Sequence, residues 1–306
     1  MSENYVLNTN DRYRNFMGLF SMVNNMVGTI YHFKKTGKQP NLFYDISKNT
    51  SYYHEGYTET DNVWEYYFHQ PCGIPYSEIN NGLRTHYNPF FVRDNMPARL
   101  HYPTNNIEAI RGELSEINRL VFLEGKNTIK LKDHVKQKIQ DVEEELGLNE
   151  SKYISVHFRY FKVENPNHFG DGHTGDRPEF DVWFNEIDKI LTDEHKIYLT
   201  TDDDISLEAF KKKYGDRLVY SEYVDRTFTR DIENSGFNPA NGDMGKFVKE
   251  IIYGDRTKNP YEIGLDAIVD TYLLSKGETI IRNCSGLSFY SIILNPQINI
   301  INIDNL

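Results

Sequence analysis

Tyr153-Ile-Ser-Val-His-Phe-Arg159 is a short apolar and β-branched run that closes on a histidine and an arginine. Such a run predicts a buried strand over 153–157 whose charged pair emerges at its end. Strand patterns recur downstream at Lys196–Thr201, Arg217–Ser221, Glu278–Arg282 and Ile298–Ile303. Helical patterns separate them: Val182, Phe184, Ile187, Ile190 and Leu191, then 205–214, 263–275, and a stretch from the turn at Asn283-Cys-Ser-Gly286 to Leu294. Alternation of this kind predicts an α/β fold, a mostly parallel sheet with helices on both faces. Ligands bind such sheets beyond the carboxyl ends of the strands. An arginine there carries a fixed charge and can fork two hydrogen bonds onto a phosphate. It can equally be half of a structural ion pair, and the stretch alone does not choose between the two.

Upstream, Leu19, Met22, Val23, Met26, Val27, Ile30, Tyr31 and Phe33 form an apolar stripe that predicts a helix from Gly18 to Lys35. Gly37 and Pro40 stop it, and Asn41–Ile46 reads as a strand. Residues 1–15 are polar and read as loose. Asn62-Val-Trp-Glu-Tyr-Tyr-Phe68 is an aromatic cluster whose ordinary role is packing and whose alternative role is a platform for a sugar ring. Helical patterns follow at 105–124 and 129–147. The turn Gly147–Ser151 divides the 306 residues into two expected domains, 1–150 and 151–306.

The 22 tyrosines and 18 phenylalanines provide bulk for a core, and only Cys72 and Cys284 occur, too few for a disulfide framework. A net charge of −11 disfavours nucleic acid and anionic membranes as partners, though local cations can still build an anion pocket. No apolar run is long enough to span a bilayer, and the N-terminus lacks the basic start and apolar core of a signal peptide. A cytoplasmic protein of bacterial or viral type is expected. There is no Walker loop, no Gly-x-Gly-x-x-Gly and no Gly-x-Ser-x-Gly, which removes support for ATP hydrolysis, dinucleotide redox chemistry and serine hydrolysis.

Four strand ends carry polar pairs: His157/Arg159, Thr201/Asp202, Ser221/Glu222 and Asn283/Ser285. In a parallel sheet all four share one edge. Ser285 opens a helix, where free N–H groups and the positive dipole suit a phosphate, and where a serine also serves simply as a cap. Asp202-Asp-Asp204 could hold Mg²⁺ or Mn²⁺ beside a diphosphate, or could cap the following helix, the commoner role. His168, Asp171, His173 and Asp176 lie in one polar loop after the first strand; their spacing fits no zinc signature, but the loop can supply a base. Residues 222–260 form a long polar stretch of the kind that often carries function.

Val156-His-Phe-Arg159, Tyr198-Leu-Thr-Thr-Asp-Asp203, Asp266-Ala-Ile-Val-Asp-Thr-Tyr-Leu-Leu-Ser275 and Cys284-Ser-Gly-Leu-Ser288 occur in the order and spacing found in the fucosyltransferase superfamily. The second half of the chain resembles that group: the α-1,6-fucosyltransferases, the nodulation-factor fucosyltransferases and the protein O-fucosyltransferases. The helix Phe20–Ile30, with Asn24 and Val27-Gly28, is loosely similar to the group's opening loop and helix. The resemblance implies two facing Rossmann-like domains, GT-B-like, that move fucose from GDP-fucose to a glycan with inversion and without a metal or other cofactor. It places Arg159 on the diphosphate, Asp270 and His157 on guanine, and Ser285 and Gly286 on phosphate at the helix start. Ser288, Ser21 and Arg256 fall at further donor-side positions. Candidate bases for the acceptor hydroxyl are Glu164, Asp171 and His173, beside the Arg159 clamp. The chain departs from the group's pattern at Tyr160, Phe161 and Lys162, at Phe20-Ser-Met22 and at Leu287. Two other classes stay open: a Mn²⁺-dependent transferase using a different nucleotide sugar, and a non-catalytic carbohydrate-binding protein.

Overall fold

The computed structural model describes residues 4–8, 18–35, 37, 41–46, 50, 52–57, 59–78, 84–87, 127–159, 179–224, 258–283 and 285–303. The chain divides into two compact units, Met1–Lys136 and Gln137–Leu306.

The first unit holds a three-stranded parallel sheet. Its strands are β1 (Asn4–Asn8), β2 (Asn41–Asp45) and β3 (Arg84–Tyr87), in the order β2-β1-β3. The expectation that residues 1–15 are loose is therefore wrong for 4–8, which form the central strand. Val6 is fully buried there and is in register with Phe43 and His86. A five-residue strand flanked by asparagines gives too few alternations to be read locally; ladder bonds on both sides hold it. Helix α1 (Leu19–Lys35) buries Leu19, Met22, Val23, Met26, Val27 and Ile30, the stripe read from the sequence. Tyr52 accepts a hydrogen bond from the first helical N–H, Leu19, at 2.9 Å.

The aromatic cluster contains the single-turn helix α2 (Trp64–Tyr67). Trp64, Tyr66, Tyr67 and Phe68 are wholly buried, Trp64 meets Tyr44 edge-on at 4.8 Å, and its Nε1 donates to the His69 carbonyl at 3.1 Å. These rings are core and present no exposed platform. Of the two helices expected in 105–147, the first lies outside the described residues. The second is α3 (Asp133–Glu145), and the division between the two units falls within it.

The second unit is a five-stranded, wholly parallel sheet: β4 (Lys152–Phe158), β5 (His195–Thr201), β6 (Leu218–Val219), β7 (Thr279–Arg282) and β8 (Asn299–Asn302), in the order β6-β5-β4-β7-β8. The crossover elements are α4 (Phe180–Ile190), α5 (Asp204–Tyr214), α6 (Pro260–Leu274) and α7 (Gly286–Leu294). The chain winds outward from β4 through β5 to β6, then returns to the other side of β4 as β7. That reversal between β4 and β7 is a topological switch point, where open α/β sheets form their ligand crevice.

β4 is buried on both faces after its first residue, as a central parallel strand must be. Ile154, Val156 and Phe158 pack with Trp183 and Ile187 of α4 and Phe210 of α5. On the opposite face, Tyr153 and Ser155 donate to the Leu273 and Leu274 carbonyls of α6 at 2.7 and 2.8 Å. Helix α6 starts three residues before the expected position. Asn259 and Glu262 form a reciprocal capping box with Pro260 in the first turn, a signal the apolar periodicity hides. β6 is shorter than expected at both ends, and at its start Gly215–Arg217 form a 3₁₀ turn. Among the described residues, no helix is long and apolar enough to cross a membrane.

Candidate active site

All five strands of the second sheet run the same way, so the polar strand ends read from the sequence lie on one edge. The switch point brings two of them together. The Arg159 N–H donates to Asn283 Oδ1 at 2.9 Å, and Asn283 Nδ2 donates back to the Arg159 carbonyl. The asparagine side chain thus extends the β4–β7 ladder one residue past the last strand pair. It fixes the main chain from which the Arg159 side chain departs.

The Arg159 guanidinium lies 2.8 Å from Asp202 Oδ2 at the end of β5, and the arginine side chain remains 41 % exposed. Arg159 is thus ion-paired, as one of the two sequence readings has it, and also open to solvent at the sheet edge. Asp203 does not share that role. It is buried, and it caps α5 by accepting from the Ser206 N–H at 3.0 Å and from the Ser206 hydroxyl. The acidic run is thus divided between pairing with Arg159 and starting a helix.

One residue deeper, β5, β4, β7 and β8 place Thr200, His157, Arg282 and Asn302 side by side in register. All four are buried, with Arg282 wholly so. The adjacent row is Leu199, Val156, Ile281 and Ile301, so the polar row is a departure from an apolar sheet. His157 Nδ1 bonds Thr200 Oγ1 at 2.8 Å, while its buried Nε2 has no hydrogen-bond partner among the described residues. Burial, then the Arg159 charge, then the Arg282 charge, hold this imidazole well below its ordinary pKa, so it is neutral at physiological pH. A buried polar atom without a partner costs free energy unless a ligand or water meets it.

The turn after β7 opens α7. Ser285 caps it by accepting from the Leu287 N–H at 3.2 Å, and Gly286 is its first residue. The first-turn N–H groups of a nine-residue helix lie on the same sheet edge as Arg159. Ser288 faces inward: it is wholly buried and accepts from Arg282 Nε at 2.8 Å. Asp270 is also buried, within α6, with Oδ1 accepting from the Tyr198 hydroxyl at 2.9 Å. Ser21 belongs to the first turn of α1 in the other unit. Glu164, Asp171, His173 and Arg256 lie outside the described residues.

Sequence reading missed Arg282, Thr200 and Asn302 as members of the site. The available signal was Thr279-Ile-Ile-Arg282, a buried strand ending on an arginine as β4 does, but only register shows that it stands next to His157.

The first unit has its own cavity, about 580 Å³, at the carboxyl end of β2. Asp45, Glu59, Asp61, Phe68, Tyr76 and Lys132 are among its walls. Carboxylates outnumber cations there.

No family model and no curated protein sequence matches this chain. Solved structures do. Fucosyltransferase NodZ from Bradyrhizobium is similar at TM-score 0.52 and 18 % identity, over 100 % of this chain and 96 % of that one. NodZ α-1,6-fucosyltransferase co-crystallised with GDP is similar at TM-score 0.51 and 16 % identity, over 97 % and 93 %. A variant of Arabidopsis thaliana FUT1 in complex with GDP is similar at TM-score 0.52 and 10 % identity, over 99 % and 70 %. The chain shares the α/β fold of the fucosyltransferase structures.

Proposed function

We propose that this protein is a glycosyltransferase that takes a sugar from a nucleoside diphosphate, with GDP-fucose as donor and a glycan hydroxyl as acceptor. The observation that carries this reading is the convergence of Arg159 and the α7 start at the switch point, with His157 in the row behind. The likeness to fucosyltransferases, one of them soaked with GDP-fucose, supports the donor class. Breaking the bond between the anomeric carbon and the leaving oxygen puts negative charge on the diphosphate. A fixed guanidinium and oriented N–H groups stabilise that charge more in the transition state than in the ground state.

In this reading Arg159 takes the diphosphate, assisted by Ser285 and Gly286 directly and by Ser288 from behind the helix start, with Ser21 and Arg256 as further donor contacts. His157 and Asp270 recognise the base. The acceptor oxygen attacks from the face opposite the leaving group, inverting the carbon, and its proton passes to Glu164, Asp171 or His173. The two units correspond to the two Rossmann-like halves of a GT-B-like enzyme, and no metal takes part. The cavity of the first unit suits a hydroxyl-rich acceptor: carboxylates accept from sugar hydroxyls, and excess negative charge turns away the phosphorylated donor.

Isothermal titration with GDP, UDP and ADP tests the donor, and release of sugar or GDP from GDP-fucose tests the chemistry. Binding of GDP, with turnover lost in Arg159→Ala while the melting temperature holds, is the expected result. A chain that binds none of these nucleotides at millimolar concentration is a carbohydrate-binding protein instead. Turnover abolished by chelator and restored by Mn²⁺ assigns the metal-dependent class.

A further inference from the structure

The buried row Thr200–His157–Arg282–Asn302 includes one permanent charge that the donor site as drawn above does not use. Arg282 is wholly buried at the end of β7, in register with His157 on one side and Asn302 on the other. Its Nε–H is shared by two acceptors, the Asn283 carbonyl at 3.2 Å and Ser288 Oγ at 2.8 Å. The first belongs to the turn between β7 and α7, the second to the first turn of α7. The Ser288 hydroxyl in turn lies 3.3 Å from the carbonyls of Asn283 and Ser285. One guanidinium therefore ties the first residue of the turn to the first turn of the helix. Asn283, held on its carbonyl by Arg282, holds the Arg159 main chain with its side chain.

We propose that Arg282 is a positioning residue for the phosphate end of the donor, setting both the α7 start and the root of Arg159 from beneath. This inference rests on the reading of the crevice as a nucleoside diphosphate site. A neutral side chain could fill much of the same volume, but it would leave Ser288 and the Asn283 carbonyl without their shared donor. The turn could then relax by the few tenths of an ångström that matter to phosphate N–H geometry. The guanidinium is wholly buried, so solvent does little to screen its charge.

The test uses the whole chain and titrates GDP and GMP, which differ by the terminal phosphate. Arg282→Met should weaken GDP about tenfold, the scale of one charge-assisted hydrogen bond, and GMP far less, so that the GDP-to-GMP affinity ratio collapses. Arg282→Lys, which keeps the charge and loses the fork, should recover part of that ratio. Ser288→Ala removes one acceptor without touching the charge, and should lower GDP affinity by about threefold with GMP nearly unchanged. Equal losses for GDP and GMP, or affinities within twofold of wild type, would overturn the assignment. If thermal melts show Arg282→Met unfolded, Ser288→Ala decides alone by the same criterion. Wild-type protein that binds no nucleoside diphosphate overturns the donor reading itself, which is a separate outcome from wild-type binding that Arg282 variants leave unmoved.

Discussion

The carboxamide of Asn283 holds the main chain of Arg159 on both its N–H and its carbonyl, closing the gap between two strand ends that are 124 residues apart. It does at the two strand ends what the β-ladder does along β4 and β7. Asn283→Ala removes both bonds where main-chain groups are partly buried. We expect a loss of about 1–3 kcal/mol in urea unfolding and weaker GDP binding. Asn283→Asp keeps the acceptor, loses the donor, and should fall between the two. Stability unchanged in the alanine variant would mean that the strand ends are held by something else.

Asp202 competes with any phosphate for Arg159. The pair is 2.8 Å long, with the arginine well exposed, so its own contribution to stability is on the order of 1 kcal/mol or less. Asp202→Asn should leave the unfolding midpoint nearly unchanged and tighten GDP up to about fivefold in a titration at low salt. Weaker binding instead would assign Asp202 the opposite role, that of holding Arg159 in its productive orientation.

His157 predicts an acid-side loss of stability. Its folded pKa is depressed by burial, then by Arg159 and Arg282, relative to about 6.5 in the unfolded chain. The unfolded state therefore binds the proton first. The contribution is complete above about pH 6.5 and is lost as pH falls toward and through the folded value. The loss should steepen below pH 6.5 toward a limiting slope of about 1.36 kcal/mol per pH unit. Urea melts at pH 7.5, 6.5 and 5 of wild type and His157→Gln check it, since the other histidines cancel in the difference. Parallel curves for the two proteins would show that this imidazole is not held neutral.

Gly277 tests how tightly the β7 entry packs on β4. A methyl group there would stand 3.1 Å from the Ser155 backbone nitrogen and closer still to Ser155 Oγ, which is buried and bonded to the Leu274 carbonyl. Gly277→Ala should destabilise by about 1–3 kcal/mol through overpacking, measured by denaturant unfolding. A thermoneutral variant would mean that the turn from α6 can shift away from the sheet.

Much of this protein can be read from local sequence, because local chemistry fixes it. The α1 stripe, the alternation from β4 to β8, and the Asp203 and Ser285 caps depend on residues within a few positions of one another, so their periodicity and spacing are visible in the chain. The parallel edge that gathers Arg159, Asp202 and Ser285 follows from that alternation. The rest depends on neighbours distant in sequence. Asn4–Asn8 is a strand because β2 and β3 flank it, not because five residues declare a period. Arg282 stands beside His157 because the sheet order reverses at β4, and a one-residue change of register would turn its side chain to the other face. Whether Arg159 faced solvent, a carboxylate or both was likewise settled by the placement of β5 next to β4. The amino-acid order specified the strands and the groups at their ends; the pairing of those strands decided which groups meet, since side-chain chemistry acts over a few ångströms and chain distance says nothing about that.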